Sequence, residues 1–149
     1  SNSLMSGYLN PLQANEVIKN SFYYTNDFGY LDEDGYLFVE GRRDFLISTG
    51  GENVNPMEIE IILLQHPLVE EAAVFPLKDP EWGEIIAAAL VMKDKSLKIS
   101  YDELKIFLQD KISSFKIPKK IFFEDELPKT ELGKIEKDKL IERYRLTSL

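Results

Sequence analysis

Cysteine is absent from the 149 residues, and histidine occurs once, at His66. The first absence removes disulfides, thiolate metal sites and a cysteine nucleophile; the second removes a histidine cluster for zinc and a histidine-based triad. Any chemistry must come from carboxylates, lysines, arginines and backbone, and no metal site is expected. Basic residues are in deficit, 18 Lys and Arg against 26 Asp and Glu for a net charge of -8, which argues against a nonspecific phosphate-backbone binder and so against the nucleic-acid class. No stretch approaches the roughly 20 apolar residues of a membrane span, and the first residues lack the basic and apolar regions of a secretory signal. The expectation is a cytoplasmic protein with no integral membrane segment.

What is present is globular in composition, with 44% apolar and 30% charged residues. The length suits one ordinary domain, or a small domain with the tail of another. Charge is unevenly spread. Residues 1–110 hold 8 basic and 19 acidic side chains and residues 111–149 hold 10 and 7, so the carboxy-terminal third is locally basic.

Asn10-Pro11 and the polar run Glu16 to Asn20 predict a turn and a short helix within residues 8–20. Aromatic-rich runs at Phe22 to Thr25 and Tyr36 to Glu40, with Asp34-Gly35 between them, predict a β-hairpin. After the charged break Gly41-Arg42-Arg43-Asp44, the pattern predicts a strand over Phe45 to Ser48. A helix follows, opened by Asn55 as N-cap, Pro56 in the first turn and Glu58 as capping-box glutamate, and closed at His66-Pro67. Val69 to Leu77 and Ile85 to Met92 read as strands around a loop, Lys78 to Gly83. Ser100 and Glu103 form a second capping box ahead of the stripe Leu104, Phe107, Leu108 and Ile112. Lys119 to Glu124 reads as a strand, Asp125 to Gly133 as a loop and Glu136 to Tyr144 as a last helix. This order predicts an α+β domain from residue 45 on, a small sheet covered by helices.

Three loops are not explained by packing alone. Ser48 to Asn53 carries Gly50-Gly51, whose bare backbone suits the close approach of a ligand and a plain strand-to-helix turn equally. Pro128 to Lys134 ends on a lysine; an ammonium with three donors neutralises phosphate or carboxylate oxygens, and the bland reading is a solvated surface residue. The Pro-x-x-x-x-Gly-Lys spacing is not a P-loop, because its first glycine is missing and Ile135 stands where a magnesium-binding Ser or Thr belongs. Gly41 to Asp44 reads as a linker between folded units. Trp82 is expected to pack under its loop, and His66 to be a helix-end surface residue.

The runs Tyr23 to Tyr36, Gly41 to Asp44, Thr49 to Glu60, Phe115 to Pro118 and Leu127 to Lys134, in that order, resemble the carboxy-terminal end of the adenylate-forming enzymes: acyl- and aryl-CoA synthetases, peptide-synthetase adenylation domains and luciferases. The resemblance spans nearly the whole chain and is nearest to the CoA synthetases at Phe115 to Lys119 and Gly50 to Asn53. It implies that residues 1–41 are the end of an amino-terminal adenylation domain, ending in a β-hairpin, that residues 42–44 are a hinge, and that residues 45–149 are a mobile lid domain with a small mixed sheet covered by helices. Ser3 to Asn10 resembles a mid-chain stretch of the family, so residue 1 is expected to be a cut point and the chain a fragment inactive alone, its partner being the missing amino-terminal domain of the same polypeptide.

By the same resemblance, the whole enzyme would join a small-molecule carboxylic acid, whether fatty, aryl or succinylbenzoyl, to ATP, with Mg2+, and then pass the acyl group from the acyl-adenylate to coenzyme A; the fragment would bind none of these tightly. Asp27 takes the place of the carboxylate that holds the ATP ribose hydroxyls, and Arg42 that of the arginine that reaches the nucleotide. Asn26 stands where the family has glycine, which puts the local backbone geometry in question. Asp44 matches the hinge position, and Lys134 the lysine that enters the site for adenylation. Gly50, Gly51 and Glu52 would border the pantetheine channel after the lid turns. Loading of a carrier protein, or a non-catalytic stand-alone interaction domain, are the alternative readings.

Overall fold

A computed structural model describes residues 18–20, 22–96 and 99–145. Two compact units meet in sequence between Asp44 and Phe45.

In the first unit, β1 (Ile18–Lys19) pairs antiparallel with β2 (Phe22–Tyr23), and β3 (Asp27–Leu31) with β4 (Leu37–Arg42). The hairpin expected from Asp34-Gly35 is present, but its first strand is Asp27–Leu31, while Phe22–Tyr23 pairs upstream. The turn decides this. The Asp32 carbonyl accepts from Gly35 N–H at 3.0 Å, and Asp32 Oδ1 accepts from the N–H of Asp34 at 3.1 Å and of Tyr36 at 2.8 Å, so Leu31 and Leu37 become the first pair. Gly29 disguises β3 as a non-strand, since glycine is depleted in strands, yet the fold needs it: a Cβ there would lie 2.0 Å from the Phe38 carbonyl oxygen, beside the register shift at Phe28/Gly29. The turn and helix expected within residues 8–20 fall largely outside the described residues, and their end, Ile18–Lys19, is strand.

The charged break is a single 3-10 turn, Arg43–Phe45. In the second unit β5 (Ile47–Thr49) and β6 (Glu52–Val54) form a hairpin, so Gly50-Gly51 turns strand into strand and not strand into helix. β7 (Val69–Asp79) and β8 (Gly83–Met92) make a longer hairpin in which Lys78 pairs with Glu84 and Asp79 with Gly83, which narrows the expected loop to residues 80–82. β9 (Lys120–Glu124) runs parallel to β8. The order is β6-β5-β8-β7, with β9 sharing one edge of β8 with β5; β7 ends the sheet on the other side.

Helices cover both faces, which is why β7 and β8 read as continuous apolar runs. Val74, Ile86, Ala88 and Leu90 bury one face against Ile59 and Leu63 of α1 (Pro56–Leu63) and Leu104 and Leu108 of α2 (Tyr101–Gln109). Ala73, Phe75, Ala87 and Ala89 bury the other against Leu127 and Leu140, the latter on α3 (Lys137–Tyr144). The unit is an α+β domain with a small mixed sheet.

Local chemistry starts the helices as expected, with one exception. Ser100 and Glu103 close both arms of a capping box at α2, and Asn55 Oδ1 accepts from Met57 N–H at 3.1 Å at α1. Glu58 closes no box at α1; both its oxygens lie 2.8 Å from Lys116 Nζ, a charged partner brought in by the fold. Among the described residues no helix is long and apolar enough to cross a membrane.

Candidate functional site

Asp27, Arg42 and Asp44 meet at the open end of the β3–β4 hairpin. Pairing puts Asp27 directly opposite Arg42. Arg42 Nη2 donates to Asp44 Oδ2 at 2.6 Å, and Asn26 Nδ2 donates to Asp44 Oδ1 at 2.5 Å. Asn26 adopts φ +63°, the left-handed region that glycine enters freely and that asparagine tolerates best among residues with a side chain. The conformation expected of a glycine at this position is therefore available to Asn26. Its carbonyl accepts from Arg43 N–H at 2.8 Å, which ties the entry of β3 to the exit of β4. The Arg42 hydrogen bond, and secondarily its charge and the Asn26 amide, hold the Asp44 carboxyl below its ordinary value; Asp44 and then Asp27 raise Arg42 above its own.

The Gly50-Gly51 turn rests on the β7–β8 turn. Both glycines have positive φ, +58° and +87°, as a two-residue hairpin of this twist requires. Gly50 N–H donates to the Trp82 carbonyl at 3.2 Å, and a Cβ on Gly50 would lie 2.8 Å from the Trp82 ring, whereas one on Gly51 would meet nothing within 4 Å. Trp82 does not pack under its own loop: it is 42% exposed and its ring lies against the neighbouring Gly50 turn. Asp79 Oδ1 accepts from the backbone N–H of Glu81 and Trp82, fixing the turn that carries the indole, and Lys119 Nζ sits 3.5 Å from the ring centroid. Glu84 holds the other stem, accepting from Ser48 N–H at 3.2 Å and from Lys78 Nζ at 3.1 Å. Glu52 opens β6 opposite Thr49 and is exposed. Trp82 and Lys119 were absent from the expected site; no local signal pairs residues this far apart in the chain.

Lys134 lies on the loop before α3. Thr130 N–H donates to the Lys134 carbonyl at 2.8 Å, Lys134 N–H to Thr130 Oγ1 at 3.2 Å, and Gly133 N–H to the Thr130 carbonyl at 2.9 Å, while Lys129 bridges Ile135. The side chain is exposed, with its ammonium 5.7 Å from the Phe45 ring centroid, and among the described residues it makes no ion pair. Asp27, Arg42 and Asp44 belong to the first unit; Gly50, Gly51, Glu52 and Lys134 belong to the second, on two separate supports.

Among the described residues no three Asp, Glu or His side chains converge to hold a metal ion. His66, expected at the surface, is half-buried: its ring meets Phe107 edge-on at 4.8 Å, and Nδ1 accepts from Leu68 N–H at 3.3 Å. Burial holds the imidazole below its ordinary value, opposed by Glu103 and aided by Lys93.

Known proteins place this architecture. The chain is 40% identical over 145 residues to an oxalate–CoA ligase of Saccharomyces cerevisiae, covering 95% of this chain and 26% of that protein. It is 42% identical over 134 residues to a 2-succinylbenzoate–CoA ligase of Geobacillus sp., covering 89% and 27%. The solved o-succinylbenzoate CoA synthetase of Bacillus subtilis, in complex with its acyl-adenylate intermediate, superposes with a TM-score of 0.83 at 37% identity, over 92% of this chain and 28% of that one. The chain thus spans little more than a quarter of the length of these curated relatives. Residues 58–134, from the Glu58 that pairs with Lys116 to Lys134 itself, match the model of one family, and the chain belongs to it: the AMP-binding enzyme C-terminal domain.

Proposed function

We propose that this chain is the carboxy-terminal part of a cytoplasmic, AMP-forming acid–thiol ligase that activates a small-molecule carboxylic acid with ATP and transfers the acyl group to coenzyme A. In this reading residues 1–41 end the amino-terminal adenylation domain, residues 42–44 form the hinge and residues 45–149 the lid. The observation that carries it is Lys134, an exposed ammonium with no carboxylate partner among the described residues, at the base of an ordered loop where its backbone is bonded to Thr130. An ammonium with three donors and no carboxylate beside it suits incoming carboxylate and phosphate oxygens. Relatives named as CoA ligases favour CoA over a carrier protein as acceptor.

Asp27 would accept from the ribose hydroxyls and Arg42 would donate to the nucleotide, as their acceptor-only and fork-like donor chemistry allows. Asp44 would carry the pivot between half-reactions, Lys134 would serve adenylation, and Gly50, Gly51 and Glu52 would border the pantetheine path in thioester formation. The glycine requirement at Gly50 is met within the fold by Trp82, so Gly51, with open space beside its Cα, is the position where bare backbone would face the thiol arm. Mg2+ would arrive on the ATP phosphates, as it commonly does.

Lys134→Ala in the full-length polypeptide tests the reading. Acyl-adenylate formation should fall by about 10²–10³-fold, the usual loss for one group stabilising developing charge, while thioester formation from supplied acyl-adenylate stays at the parent rate. Equal losses in both half-reactions would refute it.

A further inference from the structure

Two ion pairs bracket Lys134. Upstream, Lys129 Nζ lies 2.5 Å from Glu71 Oε2 on β7; downstream, Lys137 Nζ lies 2.7 Å from Glu60 Oε1 on α1. The same Glu60 oxygen accepts the N–H of Val74 at 2.7 Å, an amide that β7, as the terminal strand of the sheet, turns away from β8. Glu60 is consequently only 17% exposed and locked by two donors. The Glu60 pair is sheltered enough to be screened less than a surface pair, whereas the Glu71 pair, with Lys129 exposed, is a partly screened anchor.

The loop between the anchors closes on itself through Thr130 and the Lys129–Ile135 bridge, so fixing Lys129 and Lys137 fixes the path of residues 130–136. Both flanking ammoniums are matched by carboxylates, and Glu131, three residues before Lys134, makes no ion pair with it. Glu71 and Glu60 are thereby engaged by Lys129 and Lys137, and no carboxylate among the described residues pairs with Lys134.

We propose that Glu71 and Glu60 are positioning residues for Lys134: by pinning Lys129 and Lys137 they hold the Thr130–Lys134 loop on the β7 edge with its ammonium free for substrate. This rests on the role proposed above for Lys134. A brace of this kind fixes the backbone position from which the four-carbon side chain of Lys134 projects, which shortens the search for the productive placement of its charge.

The test is a charge swap in the full-length polypeptide. Glu71→Lys and Lys129→Glu, each alone, should slow acyl-adenylate formation by about 10- to 100-fold, the cost of a misplaced catalytic group. The double variant, which restores the pair with reversed sign, should recover most of that rate, and thioester formation from supplied acyl-adenylate should not change in any of the three. Glu60→Gln, which can still accept the Val74 N–H but loses its charge, should act in the same direction. Hydrogen exchange on the same proteins supplies a readout separate from catalysis: the Thr130 and Lys134 amides should exchange faster in the single variants while β8 stays protected. Unaltered exchange of those amides, no recovery in the double variant, or parallel loss of both half-reactions would overturn the brace. Lys134→Ala with normal adenylation would instead overturn the catalytic reading, leaving the exchange result to judge the brace alone.

Discussion

Asn26 holds the carboxylate of Asp44 from a left-handed backbone, its Nδ2 2.5 Å from Oδ1 and its φ at +63°. The conformation and the hydrogen bond are separable. A glycine would keep the first and lose the second; an alanine would lose the hydrogen bond and strain the backbone by about 1–2 kcal/mol.

Asp44 should report this directly. Its carboxyl is held low first by the Arg42 hydrogen bond and only secondarily by Asn26, so Arg42→Ala should raise its titration midpoint more than Asn26→Ala or Asn26→Gly, which should match each other. Because the folded value is depressed, the contribution of Asp44 to stability is present above its unfolded value and is lost as pH falls through the folded one. Carboxyl carbon chemical shifts followed by NMR from neutral to acid pH check the ranking; an Asn26 variant shifting Asp44 more than Arg42→Ala would contradict it.

Gly50 and Gly51 should respond unequally to the same substitution. Gly51→Ala meets open space and incurs only the positive-φ penalty, about 1–2 kcal/mol. Gly50→Ala adds a collision with the Trp82 ring, and overpacking costs roughly a further 1–3 kcal/mol. Denaturant unfolding measures the difference, and indole fluorescence of Trp82, the only tryptophan, should change in the Gly50 variant alone.

Elements specified by neighbours in sequence were legible. Ser100 and Glu103 are three residues apart, and both arms of their box form; the Val69 and Ile85 runs are strands because their apolar content outlasts any local alternative. Asp27–Leu31 and Glu52–Val54 were missed because Asp, Gly, Glu and Asn carry little strand propensity, and these segments are strands only through their partners. The site divides in the same way. Lys134, Arg42 and Asp44 stand in recognisable runs, whereas the Trp82–Gly50 contact and the Glu71–Lys129 and Glu60–Lys137 pairs exist only once the sheet and helices have assembled.

His66 should make the second unit less stable in mild acid. Its neutral ring is favoured by burial against Phe107, and protonation of Nδ1 would forfeit the hydrogen bond it accepts from Leu68 N–H. Lys93, whose ammonium binds the Pro67 carbonyl at 2.9 Å, opposes the charged form; Glu103 favours it but is engaged in the α2 capping box. The balance leaves the folded value below the ordinary 6.5, so the unfolded chain takes up the proton first as pH falls. The stabilisation from the neutral ring is therefore complete above about 6.5 and declines through the interval down to the folded value. Denaturant midpoints measured across that interval should fall more steeply for the parent chain than for His66→Gln, which has no proton to take up. An imidazole titrating above 6.5 by NMR, or slopes that coincide, would show that the Phe107 contact does not discriminate between the two forms of the ring.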